Sequence, residues 1–418
     1  MKLPMLSRCA LSACCAAMAA CSQTTDLSRL QYTPTAKGAP HRAGGPQSYQ
    51  VLYSFGAVPD GEYPNAGVIN VGGTLYGTTF SGGAYSCVSG GCGTVFSVTT
   101  AGTEKVLHSF GINRRDGTYP SADLVDVGGK LYGTTYSGGA YRCAKYGCGT
   151  VFKISTNGMK KILYRFAGSD GADPAAGLID VGGTLYGATN KGGAYSCSGA
   201  GCGAVFSITT EGAEKVLYSF GNGSDGTYPA ADLINVGGTL YGTTELGGAY
   251  EAGTVFSITP GGTEKVLHSF GRGRDGANPS AALIDVGGRL YGTTVFGGAY
   301  ACNGFPGCGT VFSITIGGTE KVLHSFGNGS DGETPFGALI DVGGTFYSTT
   351  SSGGAYSNGT VFSITKGGTE KVLYSFGKGR DGAGPVAGLV NMGGTLYGTT
   401  GSGGAYGYGT VFSITPAD

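Results

Sequence analysis

The chain has 418 residues, and Lys plus Arg equals Asp plus Glu at 26 each, so its formal net charge is zero. Gly fills 85 positions, roughly three times the ordinary share of about 7%, without a three-residue period and with only 15 Pro, which excludes collagen. An apolar content of 40%, with 26 Tyr and 19 Phe, is too rich for a disordered chain, and a neutral chain with no long basic run gives no electrostatic reason to expect nucleic acid.

The chain opens "MKLPMLSRCALSACCAAMAACSQTT", with Lys2 and Arg8 ahead of an uncharged stretch from Cys9 to Ala20. Residues 1–20 read as a signal peptide, too short to span a bilayer as a mature helix. The end of this stretch, "MAAC", resembles a bacterial lipobox. That resemblance implies that Cys21 is lipidated and becomes the mature N-terminus, with membrane contact through the lipid anchor only. "LSAC", ending at Cys14, fits the same pattern but lies too close to Arg8 to leave an apolar region. Ordinary cleavage near Ala19, with Cys21 incidental, is the alternative. Residues 21–48 are polar and aperiodic and read as a flexible tether.

From residue 49 the chain repeats itself. "VLYSFG" or a variant starts at Val51, Val106, Ile162, Val216, Val266, Val322 and Val372. A proline follows each, at Pro64, Pro120, Pro174, Pro229, Pro279, Pro335 and Pro385, in steps of 50 to 56 residues. Such a period indicates a propeller or another repeat array. Each unit holds four short apolar runs rich in β-branched and aromatic residues, such as "GLID", "TLYGTT", "GTVFSIT" and "EKVLYSF", with Gly-Gly turns between the first two and often the last two. No stretch has a helical period. Four strands in each of seven units predict an all-β, seven-bladed β-propeller over residues 49–418. The array starts with a fourth strand, "YQVLYSF", and finishes with a first, second and third. The N-terminal strand is therefore expected to complete the last blade and close the ring of antiparallel sheets. The Glu-Lys pairs that open the fourth strands, as at Glu104-Lys105 and Glu264-Lys265, read as charges that keep the outer edge from pairing with another molecule.

The pattern "GGTLYGTTxxGGAYxxGTVFSIT" followed by "EKVLYSFxxGxDGxxP" resembles the GloVer tandem repeat, across about residues 49 to 418. The resemblance implies display at a bacterial surface, here with the lipobox as anchor. It implies no particular activity.

Alternating strand direction puts the fourth-to-first and second-to-third connections on one face. These are the long and varied loops, and function sits on loops held by a rigid scaffold. Four of them carry cysteine pairs: Cys87 with Cys92, Cys143 with Cys148, Cys197 with Cys202, and Cys302 with Cys308. Each loop offers two ligands where a tetrahedral metal site needs four, and an exported chain meets oxidising conditions, so four local disulfides are expected. Tyr85, Tyr141, Tyr195, Tyr250, Tyr300, Tyr356 and Tyr406 follow the Gly-Gly-Ala of each loop. They read either as an aromatic ring for stacking on sugars or peptides or as a repeated packing residue; presence in every blade favours packing.

Seven aspartates precede glycine, at Asp60, Asp116, Asp170, Asp225, Asp275, Asp331 and Asp381. "GNGSDG" is like part of a calcium loop but lacks the distal carboxylate, and other copies put a cation at a ligand position, so turn formation is the preferred reading. His108, His268 and His324 interchange with Tyr53, Tyr164, Tyr218 and Tyr374, which favours packing. No metal, cofactor or catalytic motif is found. Departures from the repeat are the remaining place to look for chemistry, and Asp123 and Asp232 replace Gly or Ala at the mouth of the central channel. The reading is an exported, lipid-anchored monomer whose propeller binds an extracellular carbohydrate or protein without catalysis. The alternatives are a polysaccharide lyase or hydrolase working through Asp123 and Asp232, and a purely structural envelope protein.

Overall fold

The computed structural model describes residues 48–417, except 57, 88–89, 140–142, 144–146 and 303–305. The expected signal peptide, Cys21, residues 21–47 of the tether, and Tyr141 lie outside the described residues. Seven four-stranded antiparallel sheets form a ring, a seven-bladed propeller without helices among the described residues. Blade 1 runs from the axis outward as Ile69–Val71, Thr74–Thr79, Thr94–Thr99 and Glu104–Ser109. Blades 2 to 6 repeat this order. Blade 7 takes Val390–Met392, Thr395–Thr400 and Thr410–Thr415 from the C-terminus and Ser48–Ser54 as its outer strand. The ring therefore closes as expected. The innermost strand of blade 1 touches those of both blade 2 and blade 7. Residues 48–418 thus hold every strand that the seven sheets use.

Local chemistry sets each blade. The first two strands are joined by two glycines in left-handed backbone, Gly72 and Gly73 at φ 59° and 85°, as a tight primed hairpin turn requires. In blade 1 the Thr79 and Thr94 hydroxyls, buried and 2.8 Å apart, tie the second strand to the third. A register shift at Val95/Phe96 breaks the ladder to the outer strand, and such bulges add twist.

Packing between blades repeats too. The third strands are apolar on both sides and buried on both, as the sequence indicates. The phenylalanine that ends each outer strand meets, edge to face, the third-strand phenylalanine of the next blade. Ring centroids are 5.2 Å apart for Phe110–Phe152, 5.0 Å for Phe270–Phe312 and, across the closure, 5.0 Å for Phe55–Phe96. All of these rings are fully buried. Each pair contributes about 0.5–1.5 kcal/mol beyond its buried area. A Cβ at Gly77 would lie 2.7 Å from the Phe96 ring, so the glycine of "TLYG" is what lets the ring lie flat on the strand.

Candidate binding face

The second-to-third and fourth-to-first loops share one face and are bridged to each other, as at Thr118 with Ser137 and Thr227 with Leu246. All four expected disulfides are formed within these loops. The second cysteine of each pair is buried at the loop base. In the blades without cysteines, Ala252, Asn358 and Tyr408 stand at that position. Asn358 replaces the covalent staple with a hydrogen bond, its Nδ2 donating to the Tyr356 carbonyl at 2.9 Å. Cys302 and Cys308 lie close to Glu333, but as a disulfide they offer no thiolate to a metal.

The loop tyrosines are only partly packed against the blade ends. Tyr85, Tyr195, Tyr250, Tyr300, Tyr356 and Tyr406 are 38 to 63% exposed, and among the described residues the other exposed large apolar side chains are only Val58, Ile112, Met159 and Ile316. The loop backbone is what packs. The amides of Ala355 and Ala405 donate to the hydroxyls of Ser375 and Ser54, each at 3.2 Å, so the loop folds over the end of its own blade's outer strand. The adjacent tyrosine ring is left outward. Repetition is a signal for packing or for repeated presentation alike, and only the loop's fold separates the two. In blade 1 the loop leaves an open hollow of about 340 Å³ lined by Tyr85, Leu107, His108 and Ile112.

Beneath this rim lies a cluster at each blade junction. The fifth residue of "VLYSF"-type strands counted from the preceding Glu is Tyr or His, and it meets the loop aspartate in all seven blades. Tyr53 donates to Asp60 at 2.7 Å and Tyr374 to Asp381 at 2.6 Å, while His268 pairs with Asp275 at 3.1 Å. The same aspartates accept an amide at the loop start, from Gly56 at 2.7 Å and Gly377 at 3.1 Å. This is turn capping. The histidines are thus held by hydrogen bonds as well as by packing.

The opening residue of the next blade's outer strand completes the cluster. Glu104, Glu214, Glu264, Glu320 and Glu370 are half-buried, and each has one carboxylate oxygen, Oε1, buried without a hydrogen-bond partner. This corrects the expectation for the Glu-Lys pairs: only the lysine is at the exposed edge, and the glutamate turns into the blade junction. Strand alternation decides this, because neighbours point to opposite sides. Burial, followed by the charge of Asp60 beside Glu104 and of Asp225 beside Glu264, pushes both glutamates up to about 7. Glu320 and Glu370 are also pushed up to about 7, and Glu214 is raised.

Two junctions differ. Between blades 1 and 2, Lys160 stands at the glutamate's position, with its Nζ 2.6 Å from Asp116 Oδ1, 2.7 Å from the Asp116 carbonyl and 4.3 Å from the Phe110 ring centroid. Burial alone would raise Asp116, but His108 and Lys160 outweigh it and hold the carboxyl at about 2. Between blades 6 and 7, Tyr49 takes the position, stacks on Tyr374 at 3.9 Å and donates to the Asp381 carbonyl.

Asp123 and Asp232 lie two residues before the innermost strands Val125–Val127 and Ile234–Val236, and both are largely buried. The other blades place Gly67, Gly177, Ala282, Ala338 and Gly388 at this level. Each carboxylate reaches back one blade: Asp123 accepts from the Gly67 amide at 2.6 Å and Asp232 from the Gly177 amide at 2.5 Å. Desolvation by the channel wall raises both, and the charge of Asp123 raises Asp232 further. The pair therefore latches adjacent blades while keeping titratable oxygens at the channel mouth.

The chain matches the Gloeobacter/Verrucomicrobia repeat over residues 41–239 and 298–418. It belongs to this family. No curated protein matches it in sequence. Among solved structures, a protein from Bacteroides uniformis described as a candidate 6-phosphogluconolactonase is similar at 16% identity and a TM-score of 0.50, covering 78% of this chain and 89% of that one. A puromycin hydrolase is similar at 11% identity and a TM-score of 0.50, covering 81% of this chain and 50% of that one. At such identities the likeness shows the propeller fold alone.

Proposed function

We propose that this Gloeobacter/Verrucomicrobia-repeat propeller is an exported, lipid-anchored binding module that holds an extracellular carbohydrate or protein without catalysis. One observation carries the reading: six equivalent tyrosines stand exposed around one face, on loops held by disulfides at Tyr85, Tyr195 and Tyr300 and by amide–serine hydrogen bonds at Tyr356 and Tyr406. A tyrosine ring offers a large rigid surface with a polar tip, suited to sugar faces and to protein partners. Repetition around a ring lets weak contacts add on a repeating ligand. The four disulfides and the family are those of a chain outside the cytoplasm. The test is a screen of residues 48–418 against glycans, cell-wall fractions and surface proteins. Binders are expected to lose most affinity when Tyr195, Tyr250, Tyr356 and Tyr406 are changed to Ala, with the melting temperature unchanged. A binder indifferent to all four would remove the tyrosines from the assignment.

A second reading rests on the raised carboxyls at the channel mouth, which suit acid–base work on a polysaccharide. It predicts turnover that disappears in Asp123→Asn/Asp232→Asn. Their backbone hydrogen bonds give both residues a structural task, so the binding reading is preferred.

A further inference from the structure

The face opposite the tyrosines carries a basic rim, and we infer that it is a docking surface for an anionic phospholipid bilayer. This proposal stands apart from the binding reading, since it concerns the other face.

Each outer strand except that of blade 7 has lysine as its second residue: Lys105, Lys161, Lys215, Lys265, Lys321 and Lys371, all exposed. The strand register places this residue at the end next to the short turns; Lys105 pairs with Ser97, beyond Phe96, and Lys161 pairs with Lys153. The rim is therefore a crown of six ammonium groups, one in each of blades 1 to 6. The outer-strand glutamates turn into the blade junctions and do not stand beside the lysines on the surface. Among the described residues none of the six lysines forms an ion pair. Of the acids exposed on the same face, Glu211 stands on a rim turn and pairs with Lys153 at 3.5 Å, while Asp180, Asp285 and Asp341 lie nearer the axis and accept turn amides at 2.9–3.0 Å. Met159 and Ile316 stand 71 and 52% exposed on two of the turns of this face, where apolar side chains can enter a headgroup layer.

The chain itself also leads here. Ser48 pairs with Thr415, so the N-terminal strand enters the ring at the short-turn face. A lysine near an anionic leaflet attracts it, with the attraction falling off within a Debye length. A crown of six, on the face where Ser48–Ser54 begins, would hold the propeller with its tyrosine face outward.

The test uses residues 48–418, which lack Cys21, so that any binding is independent of a lipid anchor. Co-sedimentation is measured with vesicles containing phosphatidylglycerol and with pure phosphatidylcholine, at low and high salt. The expected result is partitioning roughly tenfold or more stronger to the anionic vesicles at low salt, lost at high salt. Changing the six lysines to Gln should abolish it without shifting the thermal melt. Changing Arg272, Arg274, Lys378 and Arg380 to Gln, on the tyrosine face, should leave it intact. Equal partitioning to both vesicle types would overturn the proposal. So would loss in the four-residue variant in place of the six-lysine one, or binding to a soluble anionic polysaccharide with none to vesicles.

Discussion

The junction between blades 1 and 2 and the five junctions with glutamate solve one problem with opposite charge. In both, an outer strand sends its first side chain toward an aspartate that caps a loop. Lys160 meets Asp116 as a buried ion pair with further hydrogen bonds, and both stay charged at neutral pH. Burial penalises the charged form of the glutamates, and the like charge of the neighbouring aspartates adds to it, so they are held toward the protonated form. One position in a repeat can therefore hold a charge-locked joint or a proton-dependent one, and a single side chain decides which.

The largest expected effect comes from breaking the lysine joint. Lys160→Ala leaves Asp116 with only its histidine and amides, and it should cost about 3 kcal/mol, the scale for removing one partner of a buried pair. Thermal or denaturant unfolding of the variant reads this directly. Lys160→Glu sharpens the comparison. It recreates the arrangement of the other junctions, so its loss should be small near pH 5 and large near pH 8. A loss independent of pH would show that the lysine acts through packing against Phe110 alone.

Next in size is the pH dependence of the unaltered protein. A folded-state value near 7, against about 4.3 in the unfolded chain, means that the folded ring holds extra protons between those limits. Stability therefore falls as pH rises from about 4.3 through 7, and it levels off above. Glu104, Glu264, Glu320 and Glu370 are half-buried and partly screened, and the four acting together should lower the melting temperature by roughly 5 °C between about pH 5 and pH 8. A flat profile would mean that water reaches the free oxygens. Replacing Glu104, Glu264, Glu320 and Glu370 by Gln should remove most of the slope and raise the melting temperature near pH 8 only.

The smallest effect compares stapled with unstapled loops. Cys197→Ser/Cys202→Ser opens a very short ring, worth about 2 kcal/mol at most in chain entropy. Asn358 shows that a hydrogen bond can serve in that place. Little change in global stability is expected, with faster amide exchange confined to residues around Tyr195. A global fall as large as that of Lys160→Ala would contradict the view of these bonds as loop supports.

The repeat made most of the architecture legible before any coordinates. Four apolar runs per unit and a stray outer strand at the N-terminus were enough for seven blades and for the closure by Ser48–Ser54. The cysteine pairs were legible because insertion and cysteines arrive together in four loops. The glutamates were not legible as interior groups. "EK" has no internal mark of which side chain faces in, since that depends on the twist and register of the strand against the next blade. The tyrosines were ambiguous for a related reason: a residue repeated in every blade looks the same whether it fills space or is held out of it.

The fold, the order of strands and the loop staples are all readable from residue order, because they follow from local propensity and from the period. Tertiary structure alone decided which repeated side chains are outward, which carboxylates lie between blades, and that Lys160 and Tyr49 stand at a glutamate's position in the ring. Those outcomes depend on contacts between units some 50 residues apart in sequence, where solvent exposure and neighbouring charge, rather than residue type, set what each side chain does.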